Sequence, residues 1–166
     1  MSLRILLFFP DKLSDIVIDN ISKIYNYPLY HVNNHTLNKL LYRNESVYQL
    51  YSDTSADTGI GMQDSIEHYY NNLEKIEKIL GNDRDCRMAA DKIDYFITDV
   101  NQWISFINNM LNENGFEYIG IMYFMADNIT DKCIFKEISQ QQCTFYNLKE
   151  ETLLKLSENT LLTIYK

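Results

Sequence analysis

With 166 residues, 46% of them apolar, and no low-complexity tract, the chain has material for one sizeable core and little for two, and it is too apolar to stay disordered. Its net charge of −8 and pI near 4.8 argue against the Lys/Arg face that nucleic acid or an anionic membrane would require. Thirteen tyrosines and eight phenylalanines favour sheet, and with only two prolines and five glycines most boundaries must be read from periodicity.

Leu3 to Phe9 is a continuous apolar run closed by Pro10. It predicts a central strand with both faces buried. It is too short for a signal-peptide core or a membrane span, so the expected location is the cytoplasm. A helix is expected from Asp11, as N-cap, to about Asn26, with Leu13, Ile16, Val17, Ile21 and Ile24 inward. Tyr27 to Val32 contains Pro28 and suits an edge strand. Thr36 to Arg43 predicts a short helix, Ser46 to Tyr51 a strand, and residues 52–63 an irregular loop.

Asp64 to Leu80 predicts a helix, with Asp64 and Glu67 in capping-box spacing and Ile66, Tyr69, Leu73, Ile76 and Leu80 on one face. Asp83 to Asn112 is the longest periodic segment, readable as one helix or as two broken between Met88 and Ala90. Its apolar stripe is Cys86, Ala90, Ile93, Ile97, Val100, Ile104, Ile107 and Leu111, widened by Phe96, Trp103 and Met110. Asp91, Asp94, Thr98, Asn101, Ser105, Asn108 and Asn112 form the polar stripe opposite. Strands are then expected at Phe116–Met125, Lys132–Ser139, Cys143–Asn147 and Thr160–Tyr165, with a short helix over Lys149–Leu156. The fold class that follows is α+β: residues 1–166 as one domain, a mixed or antiparallel sheet with helices packed on it.

No catalytic motif stands out. His31 and His35 have an i, i+4 spacing but no further ligand set, and read as loop histidines. His68, on an acidic helix, reads as a solvated residue. Cys86 lies on an apolar stripe, and Cys133 and Cys143 lie in predicted strands without the electropositive setting a reactive thiolate needs. Three cysteines are an odd number and fit a reducing compartment. The loop with Gly59 and Gly61 lacks the calcium-hand spacing and the phosphate-loop lysine. No catalytic residue, metal or cofactor is therefore assigned.

The charge distribution is more informative. Residues 45–99 hold twelve acids and five bases; the rest of the chain holds eleven acids and ten bases. Solubility alone does not require such segregation. It favours a basic protein partner, not nucleic acid and not a membrane. The expected contacts are the loop acids Asp53 and Asp57, then Asp64 and Glu67 at the next helix start, then Asp91 and Asp94 on the long helix. Oligomeric state is left open.

In size, acidity, Asn/Ile/Tyr-rich composition and absence of catalytic motifs, the chain resembles the immunity proteins of bacterial contact-dependent growth inhibition and related interbacterial nuclease toxins. The resemblance implies a non-enzymatic cytoplasmic inhibitor that binds one cognate basic toxin domain. It carries no shared signature and transfers no residue. An acidic nucleic-acid mimic, such as an antirestriction or anti-CRISPR protein, would use the same acids on another basic groove. A small enzyme or regulatory scaffold is the third class.

Overall fold

The N-terminal apolar run forms β1, Ser2–Phe9, and the fold is arranged around it. The computed structural model describes residues 2–32, 45–50, 58–80, 83–126 and 138–166, without the side chains of 2–3, 73–80, 83–89 and 125–126. Within these, α1 is Asp15–Tyr25, β2 Leu29–Val32, β3 Ser46–Leu50, α2 Gln63–Leu80 and α3 Asp83–Asn108. A π-helical turn, Asn109–Glu113, ends α3. Then follow β4 Tyr118–Ala126, β5 Ser139–Thr144, a 3₁₀ turn at Phe145–Asn147, α4 Glu150–Leu154 and β6 Thr160–Tyr165.

The strands make one six-stranded sheet in the order β2-β3-β1-β4-β6-β5. All neighbours are antiparallel except β5 and β6, which run parallel. The chain adopts the expected class, α+β with a mixed or antiparallel sheet and helices packed on it, and the sheet is mixed. β1 joins the C-terminal strands through β4, which lies between it and β6.

Ile5, Leu6, Leu7, Phe8 and Phe9 are each at most 1% exposed, as a continuous apolar run demands. At about 2 kcal/mol per buried large side chain, these five supply on the order of 10 kcal/mol against chain entropy. Ile5, Leu7 and Phe9 face the helices, joined by Tyr48, Ile121 and Ile164. Leu6 and Phe8 face the other way, in a second cluster with Val47, Met122, Phe124 and Leu161. None of that cluster's members comes from a described helix.

Local expectations are corrected in four places. Helix α1 begins at Asp15, not Asp11, because Ser14 caps it and its hydroxyl accepts from the Val17 amide. The helix is rolled so that Val17, Ile18, Ile21 and Tyr25 pack inward, while Ile16 and Ile24 are 73% and 67% exposed. The cause is Tyr25, whose ring meets Phe106 at 5.4 Å and Tyr27 at 6.0 Å. An aromatic ring in contact with others outweighs an isoleucine for the inward position. Helix α2 starts one residue early, at Gln63, so Asp64 lies inside the first turn and not at its cap; Glu67 accepts from the Gln63 side-chain Nε2. Phe145–Asn147 is a 3₁₀ turn, and the strand is Ser139–Thr144, parallel to β6.

The long segment is one helix without a break at Met88–Ala90. Its buried side carries Ile93, Phe96, Val100, Trp103, Phe106 and Ile107, with Ala90 exposed. Phe106 is buried although it lies off the expected stripe, because it closes an aromatic cluster with Tyr25, Tyr27 and Trp103. The predicted helix at Thr36–Arg43, His35, Cys133, and the predicted strand Lys132–Ser139 up to residue 137 lie outside the described residues.

Deleting residues 160–166 removes β6 from between β4 and β5, leaving one strand with an open edge and the other without a neighbour. The truncated chain is expected to lose its cooperative thermal unfolding transition, followed by circular dichroism. A sharp melt unchanged from the full chain would contradict this pairing.

Candidate functional site

The irregular loop ends in a turn, Thr58–Met62, that is pinned from two sides. Asp99, on α3, accepts from the Thr58 hydroxyl and the Gly59 amide, both at 2.8 Å through the same oxygen. Trp103, one turn further on, adds a side-chain hydrogen bond to this carboxylate. On the other side the Gly61 amide donates to the Leu153 carbonyl of α4 at 2.8 Å. The approach is close enough to demand glycine. A Cβ on residue 59 would sit 2.2 Å from the Phe96 carbonyl oxygen, and one on residue 61 would sit 2.5 Å from the Tyr123 ring. Gly61 also has φ +72°, which side chains disfavour.

Burial is the main influence on Asp99, and it raises the carboxyl above its ordinary range despite these donors. Asp99 is therefore a structural acid. It belongs to the acidic stretch but not to the expected contacts. The signal was its position beside the apolar stripe, three residues after Phe96 and four before Trp103, off the polar stripe of Asp91 and Asp94.

The pinned turn sets the start of α2 against the connection from α4 to β6. Between them lies a cleft of about 420 Å³. Asp64 and Glu67 from α2 and Glu158 from the α4–β6 connection line it. Tyr123 of β4 is also in the lining, and its hydroxyl is pushed up by burial first and then by the charges of Glu158 and Asp64. Among the described residues Lys155 is the one cation of the lining, and its ammonium is paired with Glu151 of α4. That pair is exposed, so it ties down the lysine more than it stabilises the fold. Among the described residues the cleft lining thus holds three acidic residues and one lysine, the latter paired with Glu151. An arginine or lysine side chain is the chemical group such a lining accepts best.

The other expected contact residues are placed differently. Asp91 and Asp94 are exposed on the solvent side of α3, outside the cleft lining. They lie eight and five residues before Asp99, so roughly 12 and 8 Å down the helix axis from the docked turn at about 1.5 Å per residue. Asp53 and Asp57 lie outside the described residues. Glu158, absent from the expected set because it lies outside the acidic stretch, is brought to Asp64 and Glu67 by the fold. Only the pairing of β6 with β4 reveals that proximity.

The remaining candidates have structural surroundings. His31 is on the edge strand β2, its ring edge-on to Tyr48 at 5.2 Å. His68 is exposed on α2 and hydrogen-bonded to Asn72. Cys143 is a half-buried free thiol, raised above its ordinary range by burial. Among the described residues no group of three or more His, Cys, Asp or Glu is placed to hold a metal ion, and no helix is long and apolar enough to cross a membrane. No protein-family model, curated protein or solved structure matches the chain.

Asp99 gives a signed prediction. Below the ordinary aspartate pKa both folded and unfolded states hold the proton. As pH rises, the unfolded state releases it first, so this group's contribution to stability falls until the raised native pKa is passed. Asp99→Asn cannot ionise and does not follow that fall. The stability advantage of the native chain over Asp99→Asn is therefore expected to shrink between about pH 4 and about pH 7, measured by urea unfolding. Asp99→Ala leaves the Thr58 and Gly59 donors without their acceptor and is expected to cost about 1–3 kcal/mol at either pH. A gap between native and Asp99→Asn that widens with pH would show that hydrogen bonding outweighs burial at this carboxylate.

Proposed function

We propose that this chain is an inhibitor that binds a basic protein domain through the acids around the α2 start, and that the partner is a cognate interbacterial nuclease toxin. The observation that carries the reading is convergence. Asp64 and Glu67, from the acidic stretch, meet Glu158, from outside it, on one cleft whose single cation among the described residues is paired with Glu151. A nuclease presents cations where it holds phosphates, and carboxylates set on a fixed frame can occupy those positions in place of the substrate. Asp91 and Asp94 extend the acidic surface along α3, and Asp53 and Asp57 belong to the same stretch of sequence. Such a field speeds encounter and rejects acidic competitors. On this reading the chain works in the cytoplasm of the cell that makes the toxin, without catalysis or cofactor.

The test begins by capturing the partner on the immobilised chain from the cells that produce it. Association and dissociation rates are then measured from about 50 to 500 mM salt, across which the Debye length falls severalfold. The expected outcome is a partner with a basic groove and association that slows steeply with salt. Reversing Asp64, Glu67 and Glu158 together to lysine is expected to slow association at least about tenfold at low salt and to flatten its salt dependence. Salt-independent rates, or native affinity in the triple variant, would remove the basis of the proposal.

A further inference from the structure

We propose that the β5 edge of the sheet is a pairing surface for a second copy of this chain. β5 is the last strand of the sheet, with no strand beyond it among the described residues. Ser139, Gln140, Gln141 and Gln142 are all exposed, so over these four residues the side chains on both faces of the strand are open to solvent. Residues 139–144 contain neither a charge nor a proline. Proteins usually blunt an open edge with lysine, proline, a bulge or brevity. The opposite edge follows that rule: β2 has only four residues and is entered through Pro28. The β5 edge does not.

The backbone direction is defined. The Ser139 amide donates to the Asn159 carbonyl, on the β6 side. Peptide groups alternate along a strand, so Gln141 and Cys143 also point toward β6, while Gln140, Gln142 and Thr144 point outward. Two copies related by a two-fold axis through Gln142 pair antiparallel and use every one of these outward groups. Gln140 then lies opposite Thr144, and Gln142 opposite its own copy.

Several observations select a second copy over a foreign strand. A glutamine amide is both donor and acceptor, so Gln142 facing Gln142 is self-complementary. Strand-addition sites for foreign peptides select side chains with pockets, and four consecutive exposed residues form none. A chain of net charge −8 repels its own copy over most of its surface, and the uncharged β5 edge is a place where two copies can approach. A two-fold pairing also closes on itself and does not propagate into a filament. The inference is independent of the acidic cleft, because none of the cleft-lining residues lies in β5.

The experiment is sedimentation equilibrium of the full chain up to about 1 mM, where even a complex worth about 4 kcal/mol is half formed. A monomer–dimer equilibrium is expected. Gln142→Pro removes one outward amide without cutting the ladder to β6, since proline is tolerated where a strand's N–H faces solvent. It is expected to weaken the dimer at least about tenfold, or about 1.4 kcal/mol, with an unchanged melting temperature. Gln142→Lys, which places two like charges at the axis, tests the same contact without altering the backbone and is expected to do the same. A native chain that stays monomeric to the highest concentration overturns the proposal, as does a dimer that both variants leave intact.

Discussion

The constraint on which the structure depends is the two-sided burial of β1. A strand with Ile5, Leu7 and Phe9 on one face and Leu6 and Phe8 on the other cannot lie at an edge or on a solvent-facing sheet. It must have a strand on each side and a covered surface above and below. β3 and β4 supply the strands, and β4 brings β6 and β5 with it. The helices cover the face of Phe9. The Leu13 amide donates to the Tyr48 hydroxyl at 2.8 Å, tying the entry of α1 to β3. The Tyr48 hydroxyl is raised above its ordinary range, chiefly by burial. A tyrosine whose ring packs on Phe9 and whose oxygen holds a backbone amide fills an apolar site without leaving a polar atom unmatched.

With the helices fixed on that face, their acidic sides turn to solvent. The acids of the chain then divide by environment. Asp91 and Asp94 are exposed on α3, and Asp64 and Glu67 on α2. Asp99, five residues beyond Asp94 on α3, is taken into the fold and used as an acceptor. One stretch of charge therefore serves two ends: Asp99 fastens the Thr58–Met62 turn, while Asp64, Glu67, Asp91 and Asp94 face solvent. The π-helical turn ending α3 is held in a similar way, by Asn114, whose amide and side chain return to Asn109, and by Asn109, whose side chain reaches Glu113.

The elements defined by a simple period were legible in the sequence. The Leu3–Phe9 run, the α3 stripe and Thr160–Tyr165 each carry one dominant pattern, and each formed the element its pattern specifies. What was not legible depended on contacts between distant segments. Ile16 and Ile24 have the right spacing for a buried face, yet Tyr25 rotates the helix away from it because Phe106 and Tyr27 are waiting there. Phe145–Asn147 has strand-forming residues, but the ladder with β6 ends at Thr144 opposite Tyr165, and the chain turns for α4. The cleft was half legible. Asp64 and Glu67 could be chosen from local charge, whereas Glu158 lies about ninety residues away in sequence and joins them only through the sheet.

The worth of an acidic surface depends on how firmly it is held. An exposed carboxylate on a loose segment must be ordered when a partner binds, and that entropy is subtracted from whatever the charge pair contributes. The acids of the cleft avoid most of this cost. The turn before α2 is fastened to α3 through Asp99 and to α4 through the Leu153 carbonyl, and it packs on Tyr123 through Gly61. The Glu158 region is fastened in turn, since the neighbouring Asn159 amide donates to the Tyr123 carbonyl at 3.0 Å. Asp64 and Glu158 are therefore anchored to two sides of the same residue, Tyr123 of β4, a direct neighbour of β1. The backbone on which these acids sit is thus held to the sheet before any partner arrives. The residues that confer this, Asp99, Gly59 and Gly61, touch no partner in the proposed complex, and a substitution there would weaken binding through loss of position instead of loss of charge.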